Sequence, residues 1–136
     1  MRVRTLLPPA ILSIALLAAG AASAAPVVGV DWTKAERVEV TLSNFAFTPR
    51  SLHLKAGQPY VLHFTNAGSG GHNFSAPEFF ASAQYPSGVG PDGGVVDLHK
   101  GAVADVSLVP VAGQYKLKCS HFLHATRGMT GDIIVE

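Results

Sequence analysis

The sequence predicts an all-β fold, an antiparallel Greek-key β-sandwich of seven to eight strands. Three observations lead there: apolar and polar residues alternate with period two through several short segments, 14 glycines and 9 prolines punctuate the 136 residues, and little of the chain reads as helix. Strands alternating with long helical stretches, the mark of a parallel sheet, do not occur.

Residues 1–24 read as a signal peptide. Arg2 and Arg4 open it, an apolar run extends from Leu6 to Ala22, and Ala22-Ser23-Ala24 supplies a small-residue cleavage site. Pro8, Pro9 and Gly20 interrupt the run, so it is a poor membrane anchor, and the expected mature chain is a single domain spanning 25–136 without one. The lead-in from Pro26 to Ala35, with Trp32, has no clear period.

From Glu36 the pattern turns to β. Val38, Val40 and Leu42 alternate with Arg37, Glu39 and Thr41, Phe45 and Phe47 extend the alternation, and Thr48-Pro49 closes it. Leu52 and Leu54 form a short strand before the Ala56–Pro59 turn, and Tyr60–Thr65 the next strand. Asn66–Gly71 holds three glycines in six residues and is predicted to be a loop, with His72 just after it. Ala76–Gln84 suits one or two helical turns, with Pro77 and Glu78 at its start. Val95–Leu98 and Ala102–Val109 are predicted strands joined by a hairpin turn at Lys100-Gly101. In the next strand Tyr115, Leu117 and Cys119 share one face, and Gly131–Glu136 closes the domain.

Without residues 1–24 the chain keeps eight basic and nine acidic side chains, a charge of −1. The lysines and arginines are scattered singly, which argues against nucleic acid as a partner. Cys119 is the only cysteine and cannot staple the fold, and in an oxidising compartment an idle thiol is a liability.

Cys119, His124 and Met129 follow one another at intervals of five. Taken singly, a cysteine or a methionine in a β-protein is ordinary core. Together, thiolate, imidazole and thioether are the donors that favour copper over harder metals, and a trigonal His2Cys set with a distant Met describes a blue-copper centre. A second histidine must then come from elsewhere in the chain.

The stretch Cys119–Met129 resembles the C-x4-H-x4-M loop of the cupredoxins, small blue-copper proteins, and Gly128-Met129-x-Gly131 before an apolar strand resembles their usual ending. Upstream, Gly71-His72-Asn73-Phe74 resembles the family's other motif, a histidine followed by asparagine after a glycine loop. The resemblance implies one copper ion held by His72, Cys119 and His124, with Met129 as the weak axial ligand. It implies that Asn73 ties the two loops together and that the Gly71 carbonyl is a further distant contact. His121 departs from the pattern, since many family loops carry proline or glycine there. We expect it to be an exposed residue or one that only braces the ligands, the alternative being that it replaces or supplements a ligand. His53, His63 and His99 have no partner at ligand spacing and are expected to be ordinary strand or surface residues.

The function expected on this basis is that of an exported, periplasmic single-electron carrier. It would be a monomer, no enzyme, meeting redox partner proteins by transient contact. The alternative is a copper storage or delivery protein without an obligatory redox cycle. Phe122, Leu123 and Ala125 would form an apolar surround for His124, with Arg127, Lys116 and Lys118 as candidate rim charges.

Overall fold

A computed structural model describes residues 28–121, 124 and 126–136. The signal peptide read at 1–24 and the apolar residues Phe122, Leu123 and Ala125 lie outside the described residues.

Among the described residues nine strands build two facing sheets. They are β1 (Glu36–Ser43), β2 (Ala46–Thr48), β3 (Ser51–Leu54), β4 (Tyr60–Asn66), β5 (His72–Ser75), β6 (Val95–Leu98), β7 (Val103–Leu108), β8 (Gly113–Lys118) and β9 (Thr130–Val135). The first sheet has the order β2-β1-β4-β7 and the second β3-β9-β8-β5-β6. The expected sandwich is present, with one more strand than the upper end of the predicted range. The additions come from β2, which the sequence pattern runs together with β1, and from β5, which carries His72 and is too short to show a period.

Not every pair is antiparallel. β1 runs parallel to β4 and β3 parallel to β9, while the other pairs run antiparallel. Alternation reports which face a strand buries and says nothing of its neighbour's direction, and parallel neighbours require a crossover rather than a hairpin. Here the chain crosses to the second sheet at β3 and returns at β4. The Lys100-Gly101 turn is tight, with the Ala102 N–H donating to the His99 carbonyl at 3.0 Å, but it is not a hairpin: β6 pairs with β5 and β7 with β4, so the turn steps between sheets.

The inward faces meet in a core that includes Val40, Leu42, Leu62, Phe64, Leu117 and Ile133. Phe74 of β5 is fully buried at its centre, with the rings of Phe64, Phe47 and Phe80 at 4.9, 5.7 and 5.9 Å. The predicted helix is present as α1 (Pro77–Ser82), with Pro77 at its start and Phe79 and Phe80 turned into the core. The lead-in around Trp32 forms one 3-10 turn, Trp32–Lys34, in which the Thr33 N–H is capped by the Asp31 side chain.

Gly131 is required where β3 and β9 approach. A Cβ there would lie 2.2 Å from the Arg50 carbonyl oxygen, which also accepts the Asp132 N–H at 3.1 Å. The Gly-Met-x-Gly ending thus seats the last strand against β3.

Candidate metal centre

Two neighbouring parts of the second sheet supply the donors. β5 begins with His72, and β8 ends one residue before Cys119, the two strands pairing through Ser75 and Lys118. The segment after Cys119 then folds back on itself. The Cys119 N–H donates to the Met129 carbonyl, and the Met129 N–H to the His124 carbonyl, both at 3.0 Å. His124 in turn donates to the His121 carbonyl at 3.1 Å. This succession of turns returns the chain to β9 and holds His124 above the thiol.

His72, Cys119 and His124 each offer one donor atom, and the three atoms lie within 4.8 Å of one another. Cys119 is fully buried, His72 nearly so, and His124 half-buried. The Cys119 Sγ is 3.4 Å from Nδ1 of His124 and accepts the backbone N–H of Asn73 at 3.5 Å. Among the described residues this is the one group of three such side chains at metal-holding distances. Met129, the fourth residue of the expected set, is fully buried and joined through its backbone to both Cys119 and His124.

His72 carries the most telling atom. Its Nε2 lies 3.3 Å from Oδ1 of Asn44, whereas its Nδ1 is buried with no hydrogen-bond partner. A buried polar atom left unpaired costs roughly 1–3 kcal/mol, so its persistence calls for a ligand. Burial, with smaller contributions from the nearby His124 and His121, holds the His72 pKa below its ordinary value. The ring is therefore kept neutral, the form in which imidazole binds metals.

Outer contacts brace these side chains. Asn73 bridges the two donor segments: its Nδ2 donates to Ser120 Oγ at 2.7 Å, and its Oδ1 accepts the Ser120 N–H at 2.8 Å. His121 has Nε2 at 3.2 Å from Oδ1 of Asp97 on β6, and its ring centroid is 5.7 Å from that of His124. Its ring covers Gly71, where an added Cβ would come within 3.2 Å of the His121 Cε1. Phe45 stands edge-on to the His124 ring at 5.2 Å, and the Arg127 guanidinium lies 5.4 Å from the Phe45 ring centroid. A pocket of about 150 Å³ lined by Asn44, Phe45, Ser69, Gly70, His72 and His124 opens from this side.

His53 and His99 are exposed and, among the described residues, belong to no group of three side chains at metal-holding distances. His63 sits on the outer face of β4 between Asp105 and Glu39. Sequence reasoning missed Asn44, Phe45 and Asp97. The pattern did hold a signal: the buried residues of β1 are even-numbered, Phe45 and Phe47 are odd-numbered, and that change of parity marks a turn. Phe45 occupies it at φ 60° and is exposed instead of lying in the core.

The model of the Cupredoxin-like domain matches residues 10–135. No curated protein matches the chain. Among solved structures, auracyanin B is 26% identical, covering 79% of this chain and 93% of its own, with a TM-score of 0.56. Dithionite-reduced auracyanin from the photosynthetic bacterium Roseiflexus castenholzii is 18% identical, covering 75% and 98%, with a TM-score of 0.57. A multicopper oxidase shares the fold at 13% identity and a TM-score of 0.56, with 74% of this chain covering 44% of the oxidase. One thiol and two imidazoles converging on a common point, with a bare buried ring nitrogen among them, fit one copper ion.

Proposed function

Because the chain belongs to the cupredoxin-like domain family, at family level a group of blue-copper electron carriers, we propose that it is an exported single-electron carrier. His72, Cys119 and His124 would hold the metal, with Met129 as a weaker fourth donor. The observation that carries this reading is the unpaired, buried Nδ1 of His72 beside the Cys119 thiol and the His124 ring.

Copper, when bound, supplies a one-electron couple between Cu(I) and Cu(II). The chain's own residues do the rest. Cys119 and His72 exclude water by burial, the Asn73 N–H stabilises sulfur as thiolate, and Asn73 with Ser120 fixes the distance between the two donor segments. Donors held in this way rearrange little when the charge of the site changes, which suits a carrier better than an enzyme. His124, half-buried under Phe45, is the contact edge for a redox partner protein. Arg127 beside it supplies a rim charge, so that encounters are brief and steered. Residues 1–24 direct export and are removed, leaving a monomeric domain of 25–136 in the periplasm.

The test is the visible spectrum after Cu(II) addition to protein beginning at Ala25, for wild type, Cys119→Ser, His124→Ala and His121→Ala. An intense thiolate-to-copper band is expected for wild type and His121→Ala only. Its loss with His121→Ala and survival with His124→Ala would overturn the ligand set. Copper exchange separates a carrier, which retains the ion through many turnovers, from a storage or delivery protein, which passes it to an acceptor.

A further inference from the structure

Asn44 lies in the turn between β1 and β2, outside the donor segments. Its Oδ1 accepts the backbone N–H of Ser69 at 3.0 Å and lies 3.2 Å from Ser69 Oγ and 3.3 Å from Nε2 of His72. A backbone N–H can only donate, so the Asn44 atom that meets it is the amide oxygen and not the amide nitrogen. An amide oxygen can only accept, so His72 Nε2 must carry the ring hydrogen. A neutral imidazole has one N–H, which makes the buried, unpartnered Nδ1 the bare lone pair.

The surrounding loop is shaped to keep this bond. A Cβ on Gly68 would lie 2.5 Å from His72 Nε2 and 2.9 Å from Asn44 Oδ1, so only glycine leaves room for the pair. Gly68 is itself held by Asn66, which is buried and accepts the Gly68 N–H at 2.9 Å while donating to the carbonyls of Gly70 and Leu98. Asn66 thus ties the glycine loop together, and in it the Ser69 N–H orients the Asn44 amide.

We propose that Asn44 is a positioning residue that selects the Nε2–H tautomer of His72 and so presents Nδ1 to copper. The proposal rests on the copper reading of the site, but the tautomer it assigns is a property of the metal-free protein and can be read separately.

The experiment uses the metal-free protein, 15N-labelled, at pH 8, with two-bond 1H–15N correlation spectra reporting which ring nitrogen of His72 bears the hydrogen. Wild type is expected to show Nε2–H alone. Asn44→Ala removes the acceptor, and Gly68→Ala displaces it with Asn44 still present, so both are expected to populate the two tautomers. Asn44→Asp retains an acceptor and is expected to restore Nε2–H. Copper affinity, measured by competition with a chelator, should fall about 10- to 100-fold in Asn44→Ala, the usual effect of losing an outer hydrogen bond to a metal-binding histidine, and recover in Asn44→Asp. Nδ1–H in wild type, or an unchanged tautomer and affinity in both Asn44→Ala and Gly68→Ala, overturns the proposal. A wild type that shows Nε2–H yet binds no copper overturns the copper reading itself, and the tautomer result identifies that failure as distinct.

Discussion

At the scale of single residues, the chain separates groups that must stay neutral from groups that carry charge at the surface. Tyr85 belongs to the first class. Its hydroxyl is buried and donates to the Phe80 carbonyl at 2.7 Å, and burial raises its pKa well above the ordinary phenol value. A raised pKa means that the folded state holds the proton more tightly, so the stabilisation is complete below pH about 10 and is lost as pH rises beyond it. Tyr85→Phe should therefore cost about 1 kcal/mol at neutral pH, through the carbonyl left unpaired, and should lose less stability than wild type between pH 9 and pH 11. Urea midpoints for both proteins at each pH check this, and parallel alkaline losses would show that Tyr85 is not the group concerned. The proposed donor residues were more legible than this one. Cys119, His124 and Met129 announce themselves by chemistry and spacing within one short stretch, and His72 by the asparagine that follows it. Asn44 and Phe45 could not be found in that way, because their role depends on a turn bringing them against histidines distant in the chain.

At the scale of elements, alternation was enough to locate most strands and their buried faces, and it failed where a strand is too short to alternate. β5 is buried at all four positions, so it carries no period, yet it bears His72, Asn73 and the core ring Phe74 on consecutive residues. Pairing direction was also illegible, since β1 with β4 and β3 with β9 meet across crossovers that local pattern does not record. The closest approach in that unread topology is at Gly131. Adding one methyl group, Gly131→Ala, places a Cβ 2.2 Å from a backbone oxygen of the β3 entry, a contact that only backbone movement can relieve. Overpacking of this kind costs typically about 1–3 kcal/mol. The expected outcome is a lower urea midpoint together with weakened copper binding, because β9 is held one residue after Met129. Alanine at Gly70, where nothing lies within 4 Å and the backbone is not in the left-handed region, is the comparison for steric cost. A stability loss at Gly131 no greater than at Gly70 would remove the argument.

At the scale of the whole molecule, the donor group joins parts of the chain that secondary structure alone leaves separate. His72 opens β5, Cys119 and His124 follow β8, and Asn44 and Phe45 reach them from the other sheet. A ligand bridging these parts binds the folded state and not the unfolded one, so it stabilises the fold by mass action, by about 4 kcal/mol at a free concentration 1,000 times Kd. For a domain of this size each kcal/mol raises Tm by roughly 3–5 °C, so copper saturation should lift Tm by about 10–20 °C. The source of the effect can be checked with Cys119→Ser and His72→Ala, in which the same copper addition should leave Tm nearly unchanged while the metal-free proteins still unfold cooperatively. A copper-dependent rise that survives both substitutions would mean that the ion acts elsewhere on the surface. A rise confined to wild type would tie the stability of the sandwich to the same few atoms that the unpaired nitrogen of His72 singles out.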